Sequence, residues 1–227
     1  MTRDVYGELG VRRVINAATT YTALGGTVLP PEVVEAMASA STSCVDMTEL
    51  HLAVSRRLAT LTNNEGALVT AGCAAAIVLA VLATITGGRP ELILRLPADE
   101  SLKRNVNIHR VHRIPYDRAI ELAGGHLVEI GNMMQTFEWE LEAAIDESTA
   151  CVFWVAGDHL PATALTLSDT VRIAHARGVP VIVDAAAQLP PVSNLWRFTK
   201  DLGADVVLFS GGKGLRGPQA SGVWPAR

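Results

Sequence analysis

The sequence predicts an α/β fold: a mostly parallel sheet covered by helices on both faces, in three layers. From Glu65 onward, short apolar runs alternate with longer segments of helical period, the pattern that lays strands side by side with crossover helices. Two of the runs, 151–156 and 179–184, are continuously apolar, as strands are when both sheet faces are buried. Three of the runs end in residues of unusual chemistry, and in open parallel sheets ligands sit beyond the carboxyl ends of the strands.

The elements follow in order. Residues 1–30 form an N-terminal arm, and residues 31–227 a single large domain without internal repeat or low-complexity linker. Pro30-Pro31 opens a helix that runs to about Ser43, since proline suits a first turn. A second helix starts at Asp46, whose spacing to Glu49 is that of a capping box with Asp in place of Ser or Thr. Met47, Leu50, Val54, Leu58 and Leu61 then share one face of that helix. Strands are expected at 66–70, 106–111, 126–130, 151–156, 179–184 and 205–209, and a further one starts at 220–223. Helices are expected at 73–86, 116–123, 137–145, 167–177 and 196–202.

Composition narrows the setting. The 227 residues are 49% hydrophobic with a mean hydropathy of +0.26, so a large core and an apolar face for another chain or domain are expected. The longest apolar run, 73–85, is too short to span a membrane and ends in Thr86-Gly87-Gly88. Residues 1–10 are polar and charged, with no export core. Cys44, Cys73 and Cys151 form no metal spacing and suit a reducing cytoplasm. A net charge of −4 gives no general basic footprint for nucleic acid.

The first strand end is Thr70-Ala71-Gly72-Cys73-Ala74-Ala75. Small residues let a ligand approach the backbone, and a helix start offers free N–H groups to a phosphate. A plain tight turn explains it equally well. The second is Val183-Asp184-Ala185-Ala186. A carboxylate closing an apolar strand is costly to bury without a partner. A protonated ring nitrogen would supply one; the alternative is a cap on the next turn. The third is Phe209-Ser210-Gly211-Gly212-Lys213-Gly214. A lysine desolvated among glycines is a nucleophile towards aldehydes; the alternative is an exposed loop with a solvated lysine. The same loop matches a dinucleotide G-x-G-x-x-G, but Pro218 follows where a helix must open. A Walker loop fails because Gly214 stands where Ser or Thr is needed.

Together these residues resemble the fold-type I pyridoxal-phosphate enzymes, which share the aspartate-aminotransferase fold. More narrowly, the chain is similar to the branch of bacterial selenocysteine synthase and the D-glucosaminate-6-phosphate ammonia-lyases. That likeness rests on Arg13-Val14-Ile15-Asn16-Ala17-Ala18, on Leu24-Gly25-Gly26-Thr27-Val28-Leu29-Pro30-Pro31, and on His112-Arg113 with Tyr116-Asp117. It also rests on Val183-Asp184-Ala185-Ala186-Ala187-Gln188-Leu189-Pro190-Pro191 and Phe209-Ser210-Gly211-Gly212-Lys213.

The resemblance implies pyridoxal 5'-phosphate as cofactor and Lys213 as the imine-forming lysine that later moves the substrate Cα proton. Asp184 would pair with the pyridine nitrogen, while Thr70, Gly72, Cys73, Ala74 and Ser210 would hold the phosphate. His112 would stack on the ring and Gln188 would reach its oxygen. Asp158 and His159 follow another strand end, with nothing specific to assign them. The chemistry implied is carbanion formation at Cα and β-elimination from a small amino acid or amino-sugar acid. The alternatives are selenium transfer to seryl-tRNA and a truncated, non-catalytic cofactor-binding remnant. Relatives continue past the lysine loop into a smaller C-terminal domain, so that domain is expected to be missing here. They also place the active site between subunits, so a homodimer or larger assembly is expected.

Overall fold

The structure is a computed structural model that describes residues 4–97 and 99–227. Seven strands form one sheet in the order β1-β7-β6-β5-β4-β2-β3. In chain order the elements are α1 Val5–Glu8, α2 Pro31–Ala40, α3 Met47–Leu61, β1 Gly66–Thr70, α4 Cys73–Thr86 and α5 Pro90–Ile93. There follow β2 Asn105–His109, α6 Arg118–Leu122, β3 His126–Ile130, α7 Glu138–Ala144 and β4 Thr149–Val155. The last are α8 Leu167–Ala176, β5 Val181–Asp184, α9 Asn194–Trp196, β6 Val206–Ser210 and β7 Gly222–Ala226. Strands β3, β2, β4, β5 and β6 are mutually parallel, and β7 runs antiparallel between β6 and β1.

Strand periodicity sorts the core into two layers. Ile108, Phe153, Ile182 and Leu208 face one side, where they pack with Ile77, Ala80 and Val81 of α4 and Ile120 of α6. Val152, Val181, Val183, Val207 and Phe209 face the other, against Leu141 of α7 and Val171 and Ala174 of α8. Successive side chains of a strand point to opposite faces, so these continuously apolar strands are buried on both sides. Each fully buried Phe or Ile contributes about 1.5–3 kcal/mol, which fixes the sheet and therefore the strand ends that carry the site.

Two expected elements differ from those observed. The run 106–111 ends as a strand at His109, because Arg110–His112 closes a 3-10 turn with the Arg113 N–H on the Arg110 carbonyl. Val111 is apolar because, within that turn, it is buried. Residues 196–202 form the end of α9 and then a π-helix, Arg197–Asp201. The hydroxyl of Thr199 in that π-helix donates to Asn64 Oδ1 at 2.6 Å. The final strand, Gly222–Ala226, starts within 220–223 as expected and includes Pro225, opposite Ala67, which gives no N–H to the ladder. In α3, Asp46 Oδ1 accepts the Glu49 N–H at 2.9 Å, so the cap lies where its spacing predicts.

Among the described residues no helix is long and apolar enough to cross a membrane. The N-terminal portion carries exposed apolar side chains, including Val14, Val28, Val34 and Met37, and Ile15 is 99% exposed.

Candidate active site

The carboxyl ends of β5 and β6 and the start of α4 meet at a cavity of about 380 Å³. Gly72, Cys73, Ala74, Asp184, Ser210 and Lys213 all line it. The fold thus brings together residues from all three unusual strand ends, which lie far apart in sequence.

Each wall has a local cause. Gly72 precedes α4 with φ +99° and ψ 162°, a backbone that side chains rarely adopt, and an added Cβ there would meet nothing within 4 Å. Glycine is therefore required by the turn itself, with open space beside it. The first N–H groups of an α-helix have no partner within the helix, and the 14-residue α4 begins at the cavity wall. The Thr70 hydroxyl turns away to donate to the Gly72 carbonyl at 2.9 Å. Thr70 therefore braces the turn and is absent from the cavity lining. Gly222 of β7 packs so tightly here that a Cβ would fall 2.7 Å from the Thr70 hydroxyl.

Asp184 ends β5 and is 5% exposed. Its Oδ1 accepts the Ala186 N–H at 3.0 Å. Burial lifts its pKa above the usual carboxylate range, against the opposing pull of the Ala186 N–H and the Lys213 charge. Cys73 lies beside it, with Sγ 4.0 Å from Asp184 Oδ1. Burial, then the Asp184 charge, raises the thiol far above its ordinary range, so Cys73 is a protonated, inert wall.

The glycines around Lys213 allow close packing. A Cβ on Gly211 would lie 1.9 Å from the Ser221 hydroxyl, and one on Gly214 would lie 2.4 Å from the Leu189 carbonyl. The loop is closed by Gly211 N–H to Ser221 O and Gly217 N–H to Gly211 O, both at 2.7 Å, and by Arg216 N–H to Lys213 O at 2.9 Å. Lys213 is half-buried on this tied loop, unlike a freely solvated surface lysine.

Two residues expected at the ring lie outside this cavity's lining. His112 is 3% exposed, lies outside the cavity lining, and packs edge-on to Trp154 with ring centroids 5.0 Å apart. Its Nδ1 accepts the Val155 N–H at 3.3 Å, because the 3-10 turn after β2 carries the ring into the core. Gln188 is likewise outside the cavity and donates its amide to the Ala156 carbonyl at 3.2 Å. It lines a second opening with Asp158 and Arg197, whose lining does not include Lys213, and His159 lines neither.

Sequence reasoning missed Thr22, Ile77 and Gln219 as cavity residues, and it used Tyr116 only as part of a motif. Tyr116 arrives on the 3-10 turn Pro115–Asp117, which Arg113 ties down through its ion pair with Asp117. Thr22 arrives on the turn Thr22–Leu24 of the arm. No local pattern marks such residues, since only the tertiary fold brings them to the lysine.

A helix N-terminus, a buried carboxylate and a primary amine at the strand ends of a parallel α/β sheet define the class of fold-type I pyridoxal-phosphate enzymes. The family model for L-seryl-tRNA selenium transferase matches residues 14–224, and the chain belongs to that family of pyridoxal-phosphate-dependent enzymes. It is 34% identical over 223 residues to D-glucosaminate-6-phosphate ammonia lyase of Salmonella typhimurium, covering 96% of this chain and 59% of that protein. It is 34% identical over 220 residues to 5'-C-glycyluridine monooxygenase-decarboxylase of a Streptomyces species, covering 94% of this chain and 54% of that protein. A solved structure of D-glucosaminate-6-phosphate ammonia-lyase superposes with a TM-score of 0.93 at 34% identity, over 100% of this chain and 61% of that one. The chain thus spans about three-fifths of the ammonia lyase's length.

Proposed function

We propose that this chain is the cofactor-binding part of a pyridoxal-phosphate lyase that eliminates a β-substituent from a small amino acid or amino-sugar acid. We assign residues 31–227 to its large domain and residues 1–30 to an arm that meets it at Thr27. The observation that carries this reading is the shared cavity of Lys213, Asp184 and the α4 N-terminus. The donor set fits the group. Helix N–H groups with the Ser210 hydroxyl suit a phosphate, the buried carboxylate suits a protonated ring nitrogen, and the amine suits an aldehyde. When bound, pyridoxal phosphate acts as an electron sink for the carbanion left at Cα.

The chain's own residues do the rest. Gly72, Cys73 and Ala74 present backbone to the phosphate, and the φ of Gly72 keeps that approach free of side chains. Asp184 keeps the ring nitrogen protonated, and the Ala186 N–H orients its carboxylate for that. The Lys213 amine would hold the cofactor at its aldehyde and would serve as the general base for the substrate Cα proton. Cys73 and Ile77 wall the cavity with surface that excludes water. Thr70 supports the phosphate turn from outside the cavity, His112 supports the strand ends from the core, and Gln188 ties to the Ala156 carbonyl beside them.

Ammonia elimination from an amino-sugar acid is favoured by the 34% identity to D-glucosaminate-6-phosphate ammonia lyase. The family model favours the second reading, β-replacement in the manner of L-seryl-tRNA selenium transferase. The net charge of −4 offers little attraction for a tRNA backbone. The exposed apolar residues of the N-terminal portion suit a homodimer or larger assembly.

The test is to purify the chain with pyridoxal phosphate, reduce it with borohydride and locate the modified lysine by peptide mass spectrometry. Label confined to Lys213, with ammonia released from D-glucosaminate 6-phosphate, is the expected result. Label without turnover would assign the chain as a cofactor-binding part only. No label would overturn the reading.

A further inference from the structure

We propose that Thr27 of the N-terminal arm is a positioning residue, whose hydroxyl clamps the Gly212–Lys213 peptide and so holds the Lys213 amine in the cavity. The inference rests on the reading of Lys213 as the cofactor lysine and adds a residue to that site.

The contacts are direct. The Thr27 N–H donates to the Gly212 carbonyl at 3.1 Å. Its Oγ1 lies 3.1 Å from the Gly212 carbonyl and 3.2 Å from the Lys213 carbonyl, so its single proton is shared between the two. The Lys213 carbonyl also accepts the Arg216 N–H at 2.9 Å, so both of its acceptor positions are used. Thr27 and Gly212 are 185 positions apart in the chain.

The arm is built to press on this loop. Gly26 has φ +72°, and a Cβ there would lie 2.4 Å from the Gly212 carbonyl. Only glycine permits so close an approach. Asn16 braces the arm from behind, its amide donating to the Thr19 and Gly26 carbonyls, each at 3.0 Å, while its Oδ1 accepts the Ala18 N–H at 2.9 Å. Thr22, a few residues before Thr27, lines the cavity itself. The motif Leu24-Gly25-Gly26-Thr27 thus gains a physical purpose at the lysine loop.

The loop needs a clamp. Gly212 and Gly214 flank Lys213 and offer no side chain to hold it, so contacts from outside the loop must fix its backbone. A nucleophilic amine misplaced by about 1 Å can lose two orders of magnitude in reactivity. A hydroxyl fixed on the carbonyls either side of that amine's own Cα limits the displacement at its source.

The test compares wild type with Thr27→Val, which keeps the shape and loses the hydroxyl, and Thr27→Ser, which keeps the hydroxyl. Hydrogen exchange of the segment 211–219 and borohydride labelling of Lys213 at limiting pyridoxal phosphate are both followed. The expected result is roughly tenfold faster exchange and roughly tenfold weaker labelling in Thr27→Val, both restored in Thr27→Ser. Unchanged exchange in Thr27→Val overturns the clamp whether or not cofactor binds. Faster exchange with undiminished labelling overturns its positioning role. Absence of label on wild-type Lys213 overturns the parent reading and the assigned role, while exchange still decides whether the clamp exists.

Discussion

The Cys73 sulfur lies 4.0 Å from Oδ1 of Asp184, so the carboxylate at the end of β5 meets a neutral thiol on one side and the Ala186 N–H on another. That neighbourhood gives it little compensation for burial, which is why its pKa is raised. The sign follows. With the folded value above the ordinary 3.8, the folded state holds its proton to higher pH than the unfolded state. Asp184 therefore costs the cofactor-free protein stability as pH rises from the unfolded value through the raised folded one. Asp184→Asn should stabilise that form at pH 7 by at least about 1 kcal/mol, read as a higher melting midpoint. The same variant should lose the long-wavelength cofactor band, because the ring nitrogen loses its anionic partner. A lower melting midpoint would show that the carboxylate already has compensation.

Lys213→Ala should abolish borohydride incorporation while changing stability by less than about 0.5 kcal/mol, because the side chain is only half-buried and the loop is tied by backbone bonds. Denaturant melting and peptide mass spectrometry on the same preparation check both parts. Incorporation surviving in the variant would move the anchor to another amine.

Gly72→Ala isolates backbone strain from crowding. An added Cβ meets no atom within 4 Å, yet φ is +99°, so the loss should be conformational, about 1–3 kcal/mol. The methyl group would also stand in the open space beside the α4 N-terminus. Cofactor affinity should therefore fall together with the melting temperature, and titration of the visible band measures it. Tighter binding in Gly72→Ala would place the phosphate elsewhere.

Much of this was legible from sequence, for identifiable reasons. Strand β1, helix α4 and strand β3 fall at their expected bounds because their apolar runs are closed by Gly, Thr or turn residues at both ends. The three strand ends converge because a parallel sheet puts all carboxyl ends on one edge. Strand β7 starts where expected, but its continuation through Pro225 was not legible, because proline speaks against a strand locally while two flanking strands override it. Its antiparallel insertion between β1 and β6 is a pairing of distant segments that no local period encodes. His112 and Gln188 were read as ring contacts from the family resemblance, while the structure gives His112 the Val155 N–H and Gln188 the Ala156 carbonyl as partners. The direction of a side chain leaving a 3-10 turn or a strand end depends on packing that motif order does not contain.

Two buried histidines give a last, pH-dependent prediction. His109 and His112 lie edge to face with centroids 5.0 Å apart. Burial lowers His109 to about 4, and burial followed by the charge of His109 lowers His112 to about 3. His112 Nδ1 accepts the Val155 N–H, which demands an unprotonated nitrogen there. Both rings thus stay neutral in the folded state and take up protons when it unfolds at acidic pH. Their stabilisation is complete above the ordinary histidine value of 6.5 and is lost as pH falls from there towards the depressed folded values. By pH 5 the loss should be about 2 kcal/mol for each ring. Urea melts between pH 7 and 5 should show this decline, and His109→Leu should remove about half of it. An undiminished decline in that variant would assign the acid sensitivity to other groups.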